Sequence, residues 1–303
     1  MTVFRVLIIS AMLGFVTTRT ILRDKFLLEQ CPSSCTCNIV EKMVDCSNAN
    51  FSEIPSEIDT NVTSLDLSFN KFSGIPMGIV NLPQLLDLDL SNNPMIRLIE
   101  INFQSTSLRS LKLRRCSIDY IDNSVFKGLP NLEVLNLSEN PLNYLNNSLV
   151  SSSVKSLDLS NCNLKHLKAL SFSGMTSLAY LSLKNNHNLR LLHSDSDSLL
   201  TLDVSNCNLE HVPTGPLRKI VELDLHGNNI QWLRNRTFSN ITNVENLNIS
   251  YNAIKQIEVN SFSHLSYLTI IDLSYNRLAT IEKIHLKEMK DLNTFIYPTI
   301  IFV

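Results

Sequence analysis

The chain has 303 residues, 44% hydrophobic and 18% charged, with a formal net charge of −2. That length and apolar content allow a large core and exclude a disordered protein. The near-neutral charge excludes a general nucleic-acid binder, which needs a basic surface to neutralise phosphates.

Residues 1–18 read as a secretory signal peptide. Arg5 supplies the positive charge, Val6 to Val16 form an apolar run broken only by Ser10, and Val16 and Thr18 are the small residues before a cleavage point. The run is too short to span a bilayer, and no later stretch reaches the roughly 18 apolar residues a span requires. Residues 19–30 are a linker. The expected product is exported, with no membrane span in this chain.

Seven cysteines is an odd count for an exported protein and leaves one thiol over. Their positions divide them into two groups. Cys31, Cys35, Cys37 and Cys46 cluster just after the linker, whereas Cys116, Cys162 and Cys207 lie far apart.

Residues 62–291 carry ten copies of one pattern. VTSLDLSFNKF at Val62 recurs at Leu85, Leu108, Leu132, Val154, Leu178, Leu199, Ile220, Val244 and Leu268, at spacings of 21 to 24 residues. The pattern is LxxLxLxxNxL, the leucine-rich-repeat motif, and its positions are numbered here as places within a copy. Its LxL pair has strand periodicity, so in Leu65-Asp66-Leu67 the leucines enter a core and Asp66 faces out. No single copy can bury its apolar face, so stacking of copies creates the core. With only seven glycines in the chain, place nine is assigned the turn-making role. It holds Asn70, Asn93, Cys116, Asn140, Cys162, Asn186, Cys207, Asn228, Asn252 and Asn276. A buried amide donates and accepts, so these side chains are expected to form a hydrogen-bonded ladder. Cysteine, small and a weak donor, substitutes for it, which makes the three isolated cysteines buried thiols. Ten residues after the ladder stand Phe103, Phe126, Phe172, Phe238 and Phe262, with Val80, Val150, Leu217 and Leu286 in other copies. They are expected to form an apolar spine on the convex side.

The segment CPSSCTCNIVEKMVDC, with C-x3-C-x-C-x8-C spacing directly before the first copy, is similar to the cysteine-rich N-terminal cap of extracellular leucine-rich-repeat proteins. Slit, the Toll receptor ectodomains, chaoptin and the small leucine-rich proteoglycans belong to that group. The resemblance implies an α/β solenoid, a right-handed horseshoe with a parallel concave β-sheet and an irregular convex side, capped by residues 31–61. Four cysteines alone allow three connectivities; the resemblance implies Cys31–Cys37 and Cys35–Cys46. It also implies a second cysteine-rich cap, which this chain lacks. Residues 292–303 instead begin an eleventh copy, Leu292-x-x-Phe295-x-Tyr297, so the tail either improvises a cap or belongs to a truncated product.

Binding residues are sought among places two, three, five, seven and eight, expected to face outward on the concave side. Place five is mostly acidic, as in Asp66, Asp89 and Asp158, but LDLS is the common form of the repeat. Copy three departs from it with Arg109, Lys112, Arg114 and Arg115, a cluster that either holds a sulfated or acidic partner or forms cross-strand ion pairs with its neighbours Asp87, Asp89, Glu133 and Glu139. Place thirteen sets Tyr120, Tyr144, His166, His211 and Trp232 on the flank, where aromatics with polar handles can anchor an interface. Glycosylation sequons begin at Asn50, Asn61, Asn136, Asn146, Asn235, Asn240 and Asn248, and Asn136 and Asn248 fall on the concave face.

Histidines are scattered through the copies and no HExxH, GxSxG or phosphate-loop pattern occurs, so neither catalysis nor a cofactor is expected. The expected function is recognition of an extracellular protein or glycan, in innate immunity or cell-surface signalling, as a secreted protein or as the ectodomain of a membrane receptor; dimerisation is compatible with it. A matrix role is the alternative, weakened because no Ser-Gly precedes the cap.

Overall fold

The computed structural model describes residue 28 and residues 30–99, 104–145, 149–167, 170–279 and 289–296. The signal segment, Phe103, Asn146, Leu286 and Tyr297 lie outside the described residues.

Each copy contributes one three-residue strand at places three to five, and these strands stack into one 13-stranded sheet. The antiparallel pair Thr36–Asn38 and Met43–Asp45 opens it, and Met43–Asp45 then pairs in parallel with Ser64–Asp66 of copy one. The strands Asp87–Asp89, Ser110–Lys112, Val134–Asn136, Ser156–Asp158, Tyr180–Ser182, Thr201–Asp203, Glu222–Asp224, Asn246–Asn248, Ile270–Asp272 and Thr294–Ile296 follow in order, all parallel. The register never slips: Leu65 pairs with Leu88, Leu88 with Leu111, and the column runs on to Ile271 opposite Phe295. A one-residue shift would turn every place-four leucine out to solvent, so the apolar pattern fixes the register. Places four and six are buried throughout, each leucine contributing about 1.5–3 kcal/mol of burial.

The convex side is irregular. Among the described residues it holds one 3₁₀ turn, Met77–Asn81, and no α-helix, because copies this short leave too few residues for one. Phe126, Phe172, Phe238 and Phe262 fill the interior behind the sheet, with the rings of Phe238 and Phe262 stacked at 5.7 Å. Two spine positions differ from expectation. Val80 is 57% exposed, and the 3₁₀ turn buries Ile79 in its place; Val150 is half-buried while Leu149 enters the core.

The asparagine ladder is continuous wherever asparagine stands. Asn140 Nδ2 donates to Leu113 O of the preceding copy at 2.7 Å and to Leu137 O of its own at 2.8 Å. Its Oδ1 accepts the amides of Cys116 and Ile118 at 2.8 and 3.0 Å. Asn70, Asn93, Asn186, Asn228, Asn252 and Asn276 repeat the arrangement. The cysteines perform half of it. Cys116, Cys162 and Cys207 donate to Leu90 O, Leu137 O and Leu183 O at 3.2–3.3 Å. A thiol offers no comparable acceptor, and the place-eleven amides that face it find backbone instead: Met95 N donates to Cys116 O and Leu142 N to Asn140 O. All three cysteines are buried and unbonded, and burial pushes their thiols up to about 11 for Cys116 and about 12 for Cys162 and Cys207.

The turn itself is made one place earlier than the sequence suggests. Place eight has positive φ in every copy, from 51° to 68°, at Phe69, Asn92, Arg115, Glu139, Asn161, Asn185, Asn206, Gly227, Tyr251 and Tyr275. Only one of these is glycine. Place nine does not make the bend; it satisfies the backbone groups that the bend leaves unpaired.

At the N-terminal end the cap disulfides are Cys31–Cys37 and Cys35–Cys46. They pin a hairpin whose Val44 and Cys46 are buried against copy one, covering a core that has no preceding turn.

Candidate recognition surface

The concave face is built from places three and five, and place five, half-buried in most copies, proves to be structural. Oδ1 of Asp66, Asp89, Asp158, Asp203, Asp224 and Asp272 accepts the amide two residues on, at 2.8–2.9 Å. Asn136 and Asn248 accept from Ser138 and Ser250 in the same way, and from the serine hydroxyls at 2.6 and 2.7 Å. This is why LDLS recurs: the side chain closes the turn out of the strand. Place seven corrects an expectation. Ser68, Ser91, Ser138, Ser205 and Ser250 there are buried and Ser160 and Ser274 half-buried, while Arg114 and Lys184 are displayed as expected.

The basic cluster of copy three is ion-paired with its neighbours. Arg109 pairs with Glu133 at 2.8 Å and Lys112 with Asp89 at 3.4 Å, while Arg114 and Arg115 both grip Glu139. Lys155 reaches Glu133 from the other side at 3.0 Å. These partners hold the Glu133 and Glu139 carboxyls below the usual glutamate range: the hydrogen bond from Lys155 is the main cause at Glu133, and that from Arg114 at Glu139. The structure thus shows cross-strand ion pairs in which Glu133 and Glu139 each serve two cations, and among the described residues no such pair involves Asp87.

The flank residues fall into three groups. Tyr120 is half-buried with the Arg97 guanidinium 4.5 Å from its ring centroid. Tyr144 stacks on His166 at 6.4 Å, with Lys165 Nζ 5.7 Å away. His211 and Trp232 border a shallow recess with Arg234 and Thr237, and Lys255 Nζ sits 5.8 Å from the Trp232 ring. Short parallel bridges, Tyr144 to His166 and Trp232 to Gln256, set these side chains in line. Of the sequons, Asn50, Asn235 and Asn240 are exposed, Asn61, Asn136 and Asn248 are half-buried, and Asn146 lies outside the described residues.

Two features were not singled out in the sequence. A depression of about 440 Å³ opens on the concave face of copies six to ten and the start of the eleventh, lined by Tyr180, Thr201, Asp203, Glu222, Asp224, Asn246, Asn248, Ile270, Asp272 and Ile296. Beside it, at place eight, Tyr251 and Tyr275 stack with ring centroids 4.0 Å apart, and His226 meets Tyr251 edge-on at 5.0 Å. Two tyrosines at one place in adjacent copies was the available signal. The rings are 50% and 66% exposed.

Family models described as leucine-rich repeats match residues 61–82, 106–151, 153–175, 218–278 and 242–294, on a chain whose cysteine cap seals the first turn. The chain is a leucine-rich-repeat protein of the extracellular, cysteine-capped kind. It is 32% identical over 119 residues to human Leucine-rich repeats and immunoglobulin-like domains protein 1, covering 39% of this chain and 11% of that one. Among solved structures it resembles a chain of the Drosophila Toll–Spatzle complex, at 22% identity and a TM-score of 0.60, over 84% of this chain and 40% of that one. It also resembles a chain of the TLR13–ssRNA13 complex, at 28% identity and a TM-score of 0.55, over 78% and 44% respectively. This repeat array therefore spans about a tenth of that human relative and less than half of either receptor chain.

Proposed function

We propose that the chain is an extracellular recognition module, secreted or displayed at the cell surface, that binds a protein partner on the concave face of copies six to ten. The depression there carries the reading. Its place-three residues, Tyr180, Thr201, Glu222, Asn246 and Ile270, differ from copy to copy although all occupy one structural position. The fold does not require that variety, so it is available to specify a partner. The reading extends to a role in innate immunity or cell-surface signalling. The TLR13–ssRNA13 complex raises RNA as a ligand, but a face bearing Asp203, Glu222, Asp224 and Asp272 repels phosphate.

The test is proximity labelling on cells with the native chain and with Thr201→Trp or Glu222→Trp, which fill the depression. The expected result is loss of a specific labelled partner in both variants but not in Val134→Trp, an exposed place-three position in copy four. Equal labelling by all four proteins would remove the concave face as the site. The reading also requires that Asn248, which lines the depression, carry no glycan; peptide mapping by mass spectrometry checks this, and glycans are expected at the exposed Asn50, Asn235 and Asn240.

A further inference from the structure

Charge is distributed unevenly along the concave face. Six ion pairs join described residues, and five of them tie copies two to five together. The sixth, Arg190 with Glu210, lies on the flank. None involves Asp203, Glu222, Asp224 or Asp272, which line the depression. Each of the three aspartates commits Oδ1 to its own turn and leaves Oδ2 without a cation among the described residues. At Asp224 burial raises the carboxyl above the usual aspartate range and the charge of Asp203 adds to it, while the His226 amide and the charges of His226 and Lys184 offset only part of the rise. The depression thus keeps negative charge that its own cations compensate only in part, which an arriving cation would relieve.

The tyrosine rim points the same way. Left-handed backbone recurs at place eight in every copy and costs an ordinary residue about 1–2 kcal/mol. Copies two, five, six and seven place asparagine at this position, the residue that tolerates it best. Copies nine and ten place tyrosine and leave both rings exposed as a stack, each presenting a face that attracts cations.

We propose that the depression and the Tyr251–Tyr275 rim together dock an extended, lysine- and arginine-rich segment of a protein partner. Cationic side chains would sit on the free oxygens of Asp203, Asp224 and Asp272 and over the tyrosine faces, while Ile270 and Ile296 accept the apolar stems. The inference rests on the recognition reading and adds the chemistry of the partner.

The test measures binding of a fluorescent arginine- and lysine-rich peptide to the full chain by anisotropy near physiological salt. The variant D203N/D224N/D272N removes three charges yet keeps each turn, because Asn136 and Asn248 already close the same turn in copies four and nine. It should weaken binding by at least about tenfold. Tyr251→Asn with Tyr275→Asn should weaken it by about fivefold, and the control pair Asp66→Asn with Asp158→Asn by less than about twofold. Failure of the native chain to bind the peptide saturably would overturn the proposal, as would native affinity in either the triple aspartate variant or the tyrosine variant. Saturable binding of heparin to the same face would also overturn it. If the peptide fails while the tryptophan-filled variants still lose their cellular partner, the recognition reading survives and only the cationic partner is wrong.

Discussion

Asn140 serves five backbone groups at once, two amides and three carbonyls, and the cost of removing it follows from that number. Each buried group left without a partner costs about 1–3 kcal/mol, so Asn140→Ala is expected to destabilise the chain by about 3–5 kcal/mol after partial relaxation. Cys162 supplies only a thiol donor, the facing Leu142 amide having turned to Asn140 O, and Cys162→Ala should cost less than about 2 kcal/mol. Urea unfolding of the two variants checks the difference, and equal losses would mean the ladder works by packing alone. With burial raising their pKa values to about 11 and about 12, Cys116, Cys162 and Cys207 should resist a thiol reagent at pH 8 in the native chain and react only on unfolding. This residue scale was the most legible in the sequence. Place nine is nearly invariant because one side chain has a defined hydrogen-bonding task, and tasks of that kind leave a residue signature.

Place eight left none. Its task is a backbone angle, and Phe69, Arg115, Glu139 and Tyr275 all adopt it because stacking forces them to. The sequence therefore assigned the turn to place nine, where the chemistry is visible, and missed the bend beside it. Phe69 tests the account: it is 59% exposed at a φ of 54°, so Phe69→Asn should raise stability by about 0.5–1 kcal/mol. A loss of stability would show that its ring contacts outweigh the backbone term. The ion pairs between strands behave differently. The carboxyl of Glu139, lowered first by the Arg114 hydrogen bond, stabilises the fold above the ordinary glutamate value and loses that contribution as the pH falls through its lowered folded value. An NMR titration should place its midpoint below that of an unpaired glutamate, with little change in stability because the pair is open to solvent. The basic cluster was readable as residues, but its pairing needed the register of three adjacent strands.

For the molecule as a whole, each turn touches only its neighbours, so damage at one end should stay local. Reducing Cys31–Cys37 and Cys35–Cys46 should speed hydrogen exchange at Leu65, Leu67 and Leu88 while Leu223 and Leu247 keep their protection. Uniform loss along the chain would instead mark the solenoid as a single cooperative unit. The horseshoe was legible because periodicity is a property of sequence. The depression was not, because it depends on how side chains of five copies fill one curved face and on which charges find partners there. Each aspartate reads alike in the repeat, yet Asp89 is paired across to Lys112 and Asp272 is not.

The turn closed by place five carries one more consequence. Aspartate and asparagine close it equally well, and their codons differ by a single base. A unit of charge at the mouth of the binding face can thus be gained or lost by one nucleotide change while the backbone keeps its course. Lineages carrying this scaffold can change partners by small inherited steps, trying each new surface on a frame that does not have to be rebuilt.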